Sequence, residues 1–147
     1  GSVQFYIHAD EAAHFFTIQH DARYTRELKR VVALDVVINN ADRKAGHCLV
    51  GHDGRLWAID NALTFHEEPK LRTVIWDYAG EPLPADVRAD LNRLREALAE
   101  PAPLTQALAQ MLTRSEIKAL RRRVQSLLQD GCFPEPGPGR VVPWPLV

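Results

Sequence analysis

Asp42, Lys44 and His47 fall within six consecutive positions of a 147-residue chain, and Asp60 follows after two short apolar runs and the turn between them. A carboxylate, an ammonium, an imidazole and a second carboxylate at this spacing suit the transfer of a phosphoryl group. Such transfer needs a divalent ion held by side-chain donors with an open side for phosphate oxygens, and His47 with Asp60 offers two donors. Asp42 then acts as a base or orienter for an attacking hydroxyl, and Lys44 offsets charge on the group in transit. The competing reading is structural, because an aspartate that caps a loop and another that closes a strand are both common. Solvent contact alone would not require such a cluster, and the two readings stay open on these residues. Turns are ordinarily built from Gly, Pro, Asn, Asp and Ser, rarely from Asp, Arg, Lys and His together.

These side chains need elements to hold them. Ahead of the cluster, Leu28, Val31, Val32, Leu34, Val36 and Val37 broaden from a stripe to a wholly apolar end, which predicts a helix over about 21–38 that dives into a core. Behind it, Cys48 to Val50 and Leu56 to Ile59 flank Gly51-His52-Asp53-Gly54. Asp-Gly between two such runs predicts a tight hairpin, since Gly tolerates the positive φ that the turn requires. A hairpin brings its ends together, so His47 and Asp60 are expected to be neighbours. Asn39 and Asn40 are expected to end the helix and satisfy loop backbone groups through their amides, which leaves Asp42 free to face a cleft. Lys44 is expected on the same side as Asp42, with Gly46 letting the backbone turn so that His47 reaches the ion.

The remaining sequence reads as scaffold. Val3 to Ile18 suggests a strand followed by a turn and then a second strand, or a strand running into a helix. Beyond Glu81-Pro82-Leu83-Pro84 the spacing of Val87, Leu91, Leu94 and Leu98 predicts one helix face, and Pro101 and Pro103 separate it from a second helix carrying Leu104, Leu108, Met111 and Leu112. Thr113-Arg114-Ser115-Glu116 fits a capping box that opens a third helix, with Ile117, Leu120, Val124, Leu127 and Leu128 as its stripe and Gly131 as its stop. Arg121, Arg122 and Arg123 on that helix are expected to form a solvated face. Trp57 and Trp76 are expected in the core, and His52 in solvent. From Phe133 onward the chain holds five of its ten prolines and is expected to lie extended over the surface.

Composition bounds the function. Eighteen Lys and Arg against nineteen Asp and Glu give a net charge of −1, which argues against a general nucleic-acid binder or an anionic-membrane binder. Two cysteines, Cys48 and Cys132, without a CxxC pair point to a reducing compartment and hence to the cytoplasm. No stretch approaches the ~20 apolar residues of a membrane helix, so no transmembrane segment is expected. Gly1-Ser2 reads as an artificial start.

Two stretches carry a family resemblance. "VVINNADRKAGHCLV" followed by "RLWAIDNALTFH" resembles the catalytic loop and metal-binding segment of the phosphatidylinositol 3- and 4-kinase-like superfamily, nearest to the type II phosphatidylinositol 4-kinases. Continued through "EEPKLRTVIWDYAGEPLP", the chain resembles an actinobacterial group of proteins related to those lipid kinases. The resemblance implies an α+β, protein-kinase-like C-lobe, mostly helical, with a small β-hairpin that carries the metal site. It places a catalytic loop over 39–50, a metal segment over 56–62, a helical part over 84–131 and a Pro-rich tail over 133–147. It also implies ATP with Mg²⁺ or Mn²⁺ as cofactor, bound through Lys44 and Asp60. Asp42 is the catalytic aspartate by resemblance, with Lys44 beside it. His47 takes the metal-ligand position that asparagine holds in the DxKxxN pattern of protein kinases, and Asp60 stands for the metal-binding aspartate of DFG, with Asn61 and Ala62 in place of its Phe and Gly.

Imidazole suits Mn²⁺ or Zn²⁺ better than Mg²⁺, so a nucleotide-binding interaction module without catalysis, a pseudokinase, is the alternative expectation. Lys70 and Arg72 fall where an activation segment would meet the acceptor, a hydroxyl on a lipid headgroup, small molecule or protein. The chain contains neither a glycine-rich phosphate loop nor a VAIK-like strand, so the N-lobe is expected to be absent from it. Most of the rate gain in phosphoryl transfer comes from gripping and aligning the phosphates, so this lobe alone is expected to be inert.

Overall fold

Residues 5–147 are described by a computed structural model, and they form an α+β fold of five helices and one two-stranded antiparallel sheet. The expected artificial start at Gly1-Ser2, and Val3 and Gln4 of the expected first strand, lie outside the described residues. In chain order the elements are α1 (Phe15–Ile18), α2 (Thr25–Ile38), β1 (Cys48–Val50), β2 (Leu56–Ala58), α3 (Ala85–Ala97), α4 (Pro103–Leu108) and α5 (Arg114–Asp130). A single 3-10 turn, Ala45–His47, leads directly into β1.

The apolar stripes explain the helical layer. Leu28, Val31, Val32, Val37 and Ile38 of α2 are buried, as are Val87 and Leu91 of α3 and Ile117, Leu120, Val124 and Leu127 of α5. The α3 and α5 sets recur at three- and four-residue steps and the α2 set widens towards its end, so each helix turns a face inward, and α5 packs against both α2 and α3. The α2 helix begins at Thr25 and not at Asp21, because the Asp21 carboxylate accepts the Arg23 backbone N–H at 2.9 Å and its guanidinium as well. That local turn competes with the helix for the same backbone. At the other end Asn39 caps α2 in the left-handed conformation with φ 56°, which Asn tolerates better than most residues.

The capping box at Thr113 forms in both directions. Thr113 Oγ1 accepts the Glu116 N–H at 3.3 Å, and Glu116 Oε2 accepts the Thr113 N–H at 2.7 Å. Gly131, with φ 69°, ends α5. Because this cap starts a new helix at Arg114, α4 stops at Leu108, and Met111 falls in the connecting turn with 75% of its surface exposed.

The expectation of a solvated arginine face on α5 holds for Arg122 but not for its neighbours. Arg121 Nε donates to the Leu98 carbonyl at 2.8 Å, and Arg123 Nε donates to the Val37 carbonyl at 2.8 Å. Both carbonyls sit at helix C-termini, where no intrahelical donor is left, and a guanidinium on a long stem can reach them. Trp57 and Trp76 are half-buried and not core, and Trp76 uses its indole N–H on the Val141 carbonyl. In the N-terminal segment the strand shrinks to one bridge, Ala9 with Gly51, before α1 begins. The proline-rich tail has no helix or strand, yet it docks: Phe133 is 1% exposed and Pro143 is fully buried. Among the described residues no helix is long and apolar enough to cross a membrane.

Candidate functional site

The hairpin assembles half of the site. Its strands pair Cys48 with Ala58, Leu49 with Trp57 and Val50 with Leu56, around a turn in which Gly54 has φ 78°. A further backbone bond, from the Ile59 N–H to the His47 carbonyl at 2.9 Å, extends the pairing to the residues that matter. His47 Nε2 then lies 3.5 Å from Asp60 Oδ2. Asp60 itself is left-handed, with φ 51°, so the chain turns sharply as it leaves β2. Aspartate is among the few residues that accept this conformation, and such positions concentrate at functional sites.

The loop before the hairpin assembles the other half. Lys44 Nζ lies 3.3 Å from Asp42 Oδ2, and both side chains keep about a quarter of their surface exposed, 22% and 26%. Asn40 and Asn39 hold the surrounding backbone. Asn40 Oδ1 accepts the Asp42 N–H at 3.0 Å, while its amide donates to Asp35 Oδ1 at 2.9 Å. Asn39 donates to the carbonyls of His66 and Glu68 and accepts the Lys70 N–H, which ties down the segment that follows Asp60. Asp42 has no cap to make, and its carboxylate is left to pair with Lys44.

Gly46 does not have the role expected of it. It lies inside the 3-10 turn without a positive φ, and a Cβ there would meet nothing nearer than Val147 Cγ1 at 4.0 Å. The turn is made by ordinary backbone bonding, so Gly46→Ala is expected to change stability by no more than about 0.5 kcal/mol. A thermal melt checks this, and a loss of several degrees would show that the glycine is required.

Arg43 is the residue that the sequence reading missed. It is fully buried, and its guanidinium joins three parts of the site. It pairs with buried Asp35 on α2, with Nη2 to Oδ1 at 2.9 Å and Nε to Oδ2 at 2.9 Å. It donates to the Ile59 carbonyl at 2.7 Å and to the His47 carbonyl at 3.4 Å, and it reaches Asn61 Oδ1. One side chain thereby locks the loop that carries Asp42 and Lys44 to the segment that presents Asp60. The available signal was Asp35, a lone charge in the apolar end of α2, because a carboxylate on a buried face requires a partner.

Burial, more than the charges around it, sets the state of His47. Burial lowers its pKa from the ordinary 6.5; Asp60 opposes this, Arg43 adds to it, and Asp42 and Lys44 also act on the ring. The imidazole is therefore neutral at neutral pH, as a metal ligand must be. With the folded pKa below 6.5, the unfolded chain binds more protons between the two values, so stability rises with pH through that interval, is complete above 6.5 and is lost as pH falls below it. His47→Gln is expected to flatten the acid side of the melting-temperature profile. An unchanged slope below pH 6.5 would contradict the burial of this ring. The adjacent thiol of Cys48 is pushed up to about 12 by burial and contributes no thiolate.

The donors present fit an ion shared with a phosphate better than a closed metal cage. Among the described residues no group of three or more His, Cys, Asp and Glu side chains could hold a metal ion. One imidazole and one carboxylate leave most of a coordination shell to phosphate and water oxygens, the usual arrangement for an ion that arrives with a nucleotide. A surface groove of about 410 Å³ lies elsewhere. It is lined by Val36, Asn39, Arg122, Arg123 and Cys132 among others, and it includes none of Asp42, Lys44, His47 and Asp60.

Comparison with known proteins gives one informative match. A Mycobacterium tuberculosis (strain ATCC 25618 / H37Rv) protein, Protein Rv2133c, is 47% identical over 118 residues, which cover 80% of this chain and 42% of the relative. The chain thus spans about two-fifths of the length of the curated relative that it matches. No family model matches the chain, and no solved structure matches it.

Proposed function

We propose that this chain carries the catalytic loop and ion-binding segment of an ATP- and divalent-metal-dependent phosphotransferase that acts on a hydroxyl acceptor, on a kinase-like C-lobe related to that of phosphatidylinositol 3- and 4-kinases. One observation carries the reading: the Asp42–Lys44 and His47–Asp60 pairs come from two segments that share a single buried guanidinium, Arg43. A structural turn does not need an ion pair and an imidazole–carboxylate pair side by side, both tied to one buried guanidinium.

In this reading each residue has a distinct task. Asp42 accepts or orients the acceptor's hydroxyl proton. Lys44, kept near by Asp42, turns its ammonium to the transferring phosphate. His47 and Asp60 would hold Mg²⁺ or Mn²⁺, the imidazole favouring Mn²⁺. When bound there, the ion would neutralise phosphate charge. Arg43 and the two asparagines keep the four side chains in register. The phosphate-gripping groups that complete such a site belong, in this proposal, to the full-length protein, and the ATP supply and free thiols suit a cytoplasmic setting.

The contact between Lys44 and Asp42 favours one other reading. Paired with each other, they would leave a nucleotide-binding module without catalysis.

Metal-dependent stabilisation by nucleotide is the test. In the full-length protein, ATP with Mn²⁺ at a hundredfold excess over its Kd is expected to stabilise by about 2.7 kcal/mol, with ATP or metal alone giving much less. Asp60→Asn is expected to abolish the shift and leave the ligand-free melt unchanged, because Asp60 is largely exposed and Asn accepts the same left-handed backbone. Absence of any metal-dependent shift in the unaltered protein would overturn the phosphotransferase reading and leave the module without catalysis.

A further inference from the structure

The C-terminal tail reaches the candidate site from behind. Its anchor is the Val141 carbonyl, which accepts the Thr73 N–H and the Trp76 indole N–H, each at 3.1 Å, and next to it Pro143 is fully buried. Thr73 in turn bridges to Arg43, and the Val74 N–H donates to the Arg43 carbonyl at 3.1 Å. The anchor is therefore tied by backbone to the guanidinium-bearing residue of the site.

Beyond the anchor the chain does not simply trail into solvent. The Ala45 N–H donates to the Leu146 carbonyl at 2.8 Å, while Leu146 itself is 38% exposed and the nearby Trp144 and Val147 are 77% and 61% exposed. Trp144 and Val147 contribute little burial here, and the hydrogen bond is what ties this end to the Ala45 turn. Ala45 is fully buried, and a buried N–H must find an acceptor. Ala45 also opens the 3-10 turn whose last residue is His47, and the His47 carbonyl accepts the N–H of Ile59, the residue before Asp60.

We infer that the last residues of the tail are a positioning strap, in which the Leu146 carbonyl fixes the start of the Ala45–His47 turn and so holds His47 opposite Asp60. Without that acceptor the Ala45 N–H would have to turn towards water, and the one-turn helix would rotate with it and carry the His47 carbonyl away from Ile59. The strap concerns the geometry of the pair and does not depend on phosphotransfer being its chemistry.

Site-resolved amide hydrogen exchange tests it. The chain is compared with one that ends at Trp144, which keeps the Val141 and Pro143 anchors and loses the Leu146 carbonyl. Exchange at Ala45 and Ile59 is expected to accelerate at least ~10-fold, while Leu120 and Val124 in α5 and the melting temperature stay nearly unchanged. Unaltered protection at Ala45 and Ile59 would overturn the strap, and so would an acceleration spread evenly through α5, which would mark general loosening. The uncut chain supplies a second check. Its Ala45 amide is expected to be protected about as well as that of Arg43, which donates to the Arg72 carbonyl at 3.0 Å. Free exchange at Ala45 in the uncut chain would overturn the inference without any variant.

Discussion

Arg43→Met is expected to destabilise the fold by about 3–5 kcal/mol, because it leaves the Asp35 carboxylate buried, charged and without its partner. Both side chains are almost wholly excluded from water, with 0% and 1% exposure, so no solvent relieves the stranded charge. For a domain of this size that loss is a large share of the total and lowers the melting temperature by roughly 10 °C or more. The reverse change, Asp35→Leu, strands the guanidinium and is expected to cost a similar amount.

The double variant separates two meanings of the pair. Buried ion pairs can often be replaced by apolar residues of similar volume with little or no loss, so Arg43→Met with Asp35→Leu is expected to regain most of the stability. It is not expected to regain the site, since a thioether side chain has no N–H to give to the His47 and Ile59 carbonyls that the guanidinium now holds. Thermal melts of both single variants and the double variant check this. A single-variant loss below about 1 kcal/mol would place the pair among weak surface contacts.

Asp42→Asn in the full-length protein is expected to cut phosphotransfer turnover by at least ~100-fold with little change in nucleotide affinity. The asparagine matches the carboxylate in size but takes up no proton, and the loop around position 42 is held by Asn40 through the backbone, so the fold does not need the charge. Lys44→Ala is expected to lower turnover less, because it removes charge compensation and leaves the proton acceptor in place. Asn39→Ala is expected to act mainly on stability, since Asn39 is 3% exposed and its amide holds the 66–70 backbone. If Asp42→Asn melted early while its folded fraction kept full activity, the cluster would be a structural turn. Kinetics and melts on the three variants distinguish these outcomes.

What could be read from the sequence was whatever depends on local periodicity. The stripes of α2, α3 and α5, the capping box at Thr113 and the stop at Gly131 each follow from residues within one or two turns of each other. The closeness of His47 and Asp60 was legible for the same reason, since an Asp-Gly turn between two short apolar runs dictates which residues meet. Long-range pairings were not legible. Nothing in the spacing of Arg43 says that it reaches back to Asp35 and forward to Ile59, although a lone aspartate on a buried helix face called for some cation. Arg121 and Arg123 were misread because a run of arginines looks solvated until the helix ends that they cap are located. Gly46 was given a conformational task because glycine permits many backbones, and permission was mistaken for need. The tail has no helix or strand, but its docking on Ala45 rests on one carbonyl, which every residue has and no sequence pattern marks.

The proposed ion site is tested most directly by pulsed electron paramagnetic resonance of Mn²⁺ with ATP, using full-length protein with ¹⁵N-labelled histidine. Coordination by His47 predicts one directly bound imidazole nitrogen coupled to the manganese, lost in His47→Gln and lost or weakened in Asp60→Asn. A spectrum identical to that of Mn²⁺ with ATP in buffer, in protein whose melt shows it folded, would contradict an ion held between His47 and Asp60.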